Sequence, residues 1–102
     1  MKRSPLRRMS RKRRRLLARR REVVREVHER DQVCQGAERL PLIACRGPLD
    51  VHELAPRSVD CHGWLIPERT VLLCRRHHAH VTDYPLEAHS VGLHKFSWEI
   101  LE

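Results

Sequence analysis

The chain predicts a small α+β fold held together by a metal, with a basic helical arm in front of it. Three observations lead there. Two short runs of strand character are followed by a helix-forming segment, cysteines and histidines recur around them at ligand spacing, and positive charge is concentrated at one end. The chain has 102 residues, 40% of them hydrophobic, and its aromatic residues are Trp64, Tyr84, Phe96 and Trp98. That is one domain at most, plus a tail. Part of the apolar supply lies in the arm, which leaves roughly 75 residues to build a core, and domains of that size commonly need a disulfide or a metal as a staple. Four cysteines and eight histidines are at hand for this purpose.

The charge distribution sets the boundary between arm and domain. Residues 1–21 hold 12 of the 21 Lys and Arg residues and no acid, whereas from Glu22 onward 13 acids outnumber 9 bases. The formal net charge of +8 therefore belongs to the arm. Such an arm seeks phosphate polymers, and Arg13, Arg14, Arg15, Arg19 and Arg20 are the candidate DNA contacts. A solvated tail or an address tag is the plainer alternative for the same run. Residues 1–29 are read as the arm, disordered at its start and then helical, and residues 30–102 as the metal-bound domain. No apolar run is long enough for a membrane span, and no hydrophobic region of a signal peptide follows the basic start. Histidines interleaved with the cysteines favour metal binding over a secreted disulfide set, so the expected location is a reducing cytoplasm.

In chain order, Met1 to Ser10 shows no apolar period. From Arg11 to about Glu29, Leu16, Leu17, Val23, Val24 and Val27 recur at spacings near three and four, with Arg25 and Glu29 placed for an i,i+4 pair, which predicts a helix with a narrow apolar stripe. The segment from Arg30 to Pro48 reads as a loop because Gly36, Pro41, Gly47 and Pro48 punctuate it. LDVHEL (49–54) alternates and predicts a short strand ended by Pro56. TVLLC (70–74) is apolar and predicts a second strand, paired with the first as a hairpin. RRHHAHVTD (75–83) predicts two helical turns broken near Pro85. PLEAHSVG (85–92) predicts a further turn with proline near its start and glycine past its end.

Cys74 and His77 stand three residues apart at the start of the predicted helix, so their side chains fall on one face and can share a tetrahedral ion. Cys34 and Cys45, separated by ten residues in a Gly/Pro-rich loop, complete a Cys3His set suited to structural Zn2+. Two alternatives stay open: free thiols packed as small apolar residues, or a fourth ligand from Cys61 or His62 in the central loop. His78 is rotated about 100° from His77 around the helix and cannot easily share that ion. If this helix packs against LDVHEL, His78 approaches His52 and forms a second, open metal site. Otherwise His78 and His80 are exposed helix histidines.

The order Cys…Cys, then DVHEL-PRS, then PERTVLLCRRHH resembles the HNH endonuclease family with its ββα-metal fold. TDYPLEAHSVGLHKFSWE and the KRSPLRR opening are similar to the small zinc-bound members found in actinobacteria and their phages. The resemblance implies that residues 30–102 form an HNH-like nuclease domain. It puts a structural zinc knuckle on Cys34, Cys45, Cys74 and His77, and a catalytic Mg2+ or other divalent metal on His52 and His78. Glu53 falls at the position of the general base. The chain departs from the family pattern at two positions. Glu53 stands where a histidine base is common, which leaves His52 as an alternative base with Asp50 assisting the metal. Arg69 stands where the family's central Asn braces the loop. The expected function is thus a metal-dependent DNA endonuclease in the cytoplasm of a bacterial host cell, with DNA and the phage terminase as partners in genome processing or packaging. The alternatives are a non-catalytic zinc-bound DNA-binding module with a decayed site, and an RNA or protein adaptor.

Overall fold

The computed structural model describes residues 9–100. The expected disordered start and the KRSPLRR leader rest on the first eight residues and lie outside that range. Helix α1 runs over Arg11–Asp31, and the Ser10 hydroxyl caps it by accepting the Arg13 amide at 3.1 Å. Of the predicted stripe, Val23 and Val27 are fully buried, whereas Leu16, Leu17 and Val24 are only partly so. The expected Arg25–Glu29 pair forms at 3.1 Å. Being exposed, it contributes no more than about 0.5 kcal/mol.

The segment expected to be a loop contains one helical turn, α2 (Gly36–Arg39). The two predicted strands are present as β1 (Leu49–Glu53) and β2 (Thr70–Cys74). They pair antiparallel, with Leu49 opposite Cys74, His52 opposite Val71 and Glu53 opposite Thr70. Two 3-10 turns, Gly63–Leu65 and Pro67–Arg69, shape the connection between them. Helix α3 (Arg75–Asp83) follows β2 directly, and α4 (Pro85–Ser90) begins on its proline. The chain then turns at Gly92, whose φ of +78° is one that a side chain resists. It returns along the end of β1, where the Lys95 amide donates to the Leu54 carbonyl at 2.7 Å.

Every residue of β2 is buried because helices cover both faces of the hairpin. Alternation along the strand sends Leu72 toward α1, where it packs with Val23, Val27 and Val51. Val71 and Leu73 face the other way, into a cluster with Leu54, Val81, Ala88 and Leu93. Full burial of a valine is worth on the order of 2 kcal/mol, so Val23 and Val27 fasten the second half of α1 to the sheet. Polar ties reinforce the seam. Arg30 donates to the carbonyls of Pro67 and Thr70, each at 2.8 Å, and the Asp31 carboxylate accepts the Leu72 amide at 2.9 Å. Helix α1 thus packs on the sheet and its preceding turn through Val27 as well as through Arg30 and Asp31. Among the described residues, no helix is long and apolar enough to cross a membrane.

Candidate functional site

Cys34, Cys45, Cys74 and His77 converge, their donor atoms all within 4.8 Å of one another. His77 Nδ1 lies 3.0 Å from Cys74 Sγ, 3.4 Å from Cys34 Sγ and 3.7 Å from Cys45 Sγ. A tetrahedral zinc with Zn–S of about 2.3 Å and Zn–N of about 2.0 Å spaces its donors roughly 3.5–3.8 Å apart, so the set fits one structural ion. Backbone amides already point at the sulfurs. The Cys74 amide donates to Cys34 Sγ at 3.2 Å, and the Arg46 and His77 amides donate to Cys74 Sγ at 3.4 Å.

Burial opposes ionisation of Cys74, but the His77 and Arg46 amides and the His77 ring outweigh it and bring its pKa down to about 6. Burial and the neighbouring Cys34 and Cys74 push Cys45 up to about 11. Cys45 therefore resists ionising beside Cys74 unless a cation joins them. Gly36 is required for the same closure, since a Cβ there would meet the His77 ring at 2.7 Å. Cys61 and His62, the alternative ligands, sit apart on the surface, with Cys61 Sγ 3.4 Å from its neighbour's Nδ1.

His78, one step around α3, meets His52 across the hairpin. Their rings lie 4.9 Å apart, edge to face, although 26 residues separate them in sequence. Register explains the meeting: His52 is opposite Val71 and shares its face, the one covered by α3. A cavity of about 230 Å³ opens there, lined by His52, Glu53, His78, Val81, Thr82 and His94 among others. His52 is 7% exposed, and its Nε2 lies 3.2 Å from the Leu93 carbonyl. A carbonyl only accepts, so Nε2 carries the hydrogen and Nδ1 keeps the lone pair. His78 Nδ1 is buried without a hydrogen-bond partner. A metal ligand suits both atoms. Among the described residues, however, the knuckle alone gathers three or more His, Cys, Asp or Glu donors so closely. His80, expected to be exposed, is half-buried beside Tyr84, with its Nε2 3.2 Å from Glu87.

Burial, assisted by the neighbouring His78, lowers the His52 pKa to about 4, against the pull of the Leu93 carbonyl. The imidazole is thus neutral at pH 7. Unfolded, it titrates near 6.5, so between these values the unfolded chain binds the extra proton. His52 therefore contributes stability above about pH 6.5 that is lost as pH falls toward 4, on the order of 3 kcal/mol in all. Urea unfolding of wild type and His52→Gln at pH 7 and pH 4.5 isolates the effect, because acid sensitivity of the knuckle is common to both. The variant should lose distinctly less stability on acidification. Equal losses would show that His52 titrates normally in the folded chain.

Glu53, next along the strand, is committed elsewhere. Its carboxylate accepts from Arg57 at 2.8 Å, and Arg57 stacks over Trp64 at 4.7 Å. Asp50, the alternative metal helper, is engaged by Arg75 at 3.2 and 3.3 Å and is not among the cavity-lining residues. Arg69 takes up a bracing role in its own way, reaching Asp60 Oδ1 at 3.1 Å from the far end of the central loop. Sequence reasoning missed His94 and Asp60. His94 reaches the cavity only because the chain reverses at Gly92, and no local pattern marks it.

Of the arm arginines, Arg13 and Arg15 are exposed. Arg14 folds back onto the Met9 carbonyl, and Arg19 pairs with Glu22 at 3.2 Å. Arg20 is half-buried and donates to the Trp64 carbonyl at 2.6 Å, so it anchors α1 to the central loop. Compared with family models, with curated proteins and with solved structures, the chain matches none.

Proposed function

We propose that the protein is a metal-dependent HNH-type DNA endonuclease of ββα-metal architecture that hydrolyses phosphodiester bonds. The observation that carries this reading is the meeting of His52 and His78 in one cavity, beside a Cys3His cluster that secures the start of α3. Zinc in the knuckle locks His77, and with it the direction of the adjacent His78. His52, neutral with its Nδ1 lone pair free, and His78 would hold the catalytic cation. A divalent ion there supplies charge neutralisation on the phosphate and the leaving 3′ oxygen. Two imidazoles suit a transition metal ahead of Mg2+. Glu53, at the cavity wall, accepts the proton of the attacking water while Arg57 fixes its carboxylate. The exposed arginines of α1 add phosphate affinity that falls steeply with salt. Work in a bacterial cytoplasm beside a phage terminase rests on the resemblance alone.

The Glu53–Arg57 pair favours a second reading, a zinc-bound DNA-binding module whose base has been diverted into an ion pair. Nicking of supercoiled plasmid with Mg2+, Mn2+ or Ni2+ separates the two. Under the nuclease reading wild type cuts, best with a transition metal, and His52→Ala and His78→Ala each fall by about 100-fold or more. Identical background from all three proteins, with DNA binding intact, would leave the module.

A further inference from the structure

His94, on the wall of the cavity at His52 and His78, is the inner end of a row of rings. The His94 ring meets Phe96 edge to face at 4.8 Å, and Phe96 lies stacked on Trp98 at 4.8 Å with only 18° between the ring planes. The His89 ring also lies against Phe96, at 4.9 Å. The segment is well braced. The Glu99 carboxylate accepts from the Phe96 amide at 2.9 Å and lies 2.8 Å from His89 Nε2, while the Lys95 amide is tied to the Leu54 carbonyl. Trp98, at the outer end, is nevertheless 73% exposed. A continuous row of rings thus runs from the wall of the candidate cavity to the surface and ends on an uncovered indole.

We propose that Phe96 and Trp98 form a stacking platform for an unpaired nucleobase next to the phosphate held at His52 and His78, so that single-stranded or forked DNA is the preferred substrate. This rests on the nuclease reading for the identity of the polymer. One side of Trp98 packs on Phe96, and most of the indole lies in water, where a base laid on it continues the stack. A base inside a duplex cannot do so, because both its faces are already covered by its neighbours. Terminal pairs keep one free face, so the blunt duplex is chosen long enough that its internal sites far outnumber its ends. Stacking of this kind tolerates any base, since every base has a π-face. The platform therefore selects strand state, while the basic face of α1 supplies affinity for either form.

Fluorescence anisotropy with a 5′-fluorescein oligo-dT strand, a blunt duplex and a forked duplex tests this, using the zinc-loaded full chain at one salt concentration. Loss of a base–aromatic stack costs about 1–3 kcal/mol, or roughly fivefold to 150-fold in affinity. Trp98→Ala should weaken the single strand and the fork by at least about fivefold and the blunt duplex by less than about twofold. Trp98→Phe should keep most of the affinity. In a Trp64→Phe chain, Trp98 is the sole tryptophan, and oligo-dT should quench its emission while the blunt duplex does not. Equal losses on all three substrates, or no quenching, overturns the platform. Plasmid nicking by wild type together with a Trp98→Ala chain indifferent to strand state sinks the platform and spares the nuclease. Strand-selective loss of binding in a chain that cuts neither the plasmid nor the single-stranded and forked oligonucleotides does the reverse.

Discussion

Cys74→Ser will lose the bound metal and with it the folded state. Cys74 is 2% exposed, caps α3 by accepting the His77 amide, and lies in the densest part of the donor cluster. Structural zinc in small domains contributes about 10–16 kcal/mol to folding, and a domain of this size holds about 5–15 kcal/mol in total. The hydrophobic clusters cannot replace it, since one contains nine buried residues and the other three. Metal analysis of the purified chain should give one zinc per wild-type molecule and none for Cys74→Ser. Circular dichroism should show cooperative melting only for wild type, and a strong chelator should reproduce the mutant. Cys61→Ser is the control: it is exposed and outside the cluster, so it should keep both zinc and melting point. Zinc retained by Cys74→Ser, or lost by Cys61→Ser, would move the knuckle to the central loop.

The second large effect is expected at Arg69→Ala. Asp60 is 3% exposed, and Arg69 reaches it at 3.1 Å. The neighbouring fit is tight, since a Cβ on Gly63 would lie 2.6 Å from Asp60 Oδ2. Removing the guanidinium leaves the buried carboxylate without its cation, although the His62 amide still reaches it at 3.4 Å, and such a loss costs about 3–5 kcal/mol in well-buried pairs. Arg69 keeps 26% of its side chain in water, so the lower end of that range applies. Urea unfolding should show a loss of about 3 kcal/mol for Arg69→Ala, of which Arg69→Ala/Asp60→Asn recovers a large part because no charge is then stranded. A loss below about 0.5 kcal/mol, or strictly additive single and double variants, would make the pair incidental. The position matters because the resemblance puts an Asn there as the brace of the loop. In this chain the ion pair to Asp60 holds the loop in its place.

How legible each part was depended on how local its cause is. The helix of α1, both strands, α3 and the proline-led α4 follow from period, β-branching and breakers that act within a few residues. Two of the four residues of the Cys3His cluster, Cys74 and His77, are similarly local, because residues three apart on a helix share one face. Cys34 and Cys45 could be nominated from their loop, but only the close approach of Gly36 to the His77 ring shows how the loop shuts on them. α2 escaped notice because four residues carry too little pattern to compete with the glycine and prolines around them.

Residue type and spacing in the amino-acid sequence determined the elements, the polarity of charge and the candidate ligands, since each of these is a short-range property. The tertiary structure decided which of those candidates meet. Strand register turned His52 toward α3, and one helical step beyond His77 turned His78 toward His52. The reversal at Gly92 delivered His94 to the same wall, with the Phe96–Trp98 row behind it. Packing decided commitments as well. Glu53 is held by Arg57, Asp50 by Arg75 and Arg20 by the Trp64 carbonyl, each partner lying on a different element or beyond a turn. The physical reason is the same throughout. A side chain's chemistry is set by what surrounds it, and here those surroundings are brought together by burial of Val23, Val27, Leu72 and Leu73.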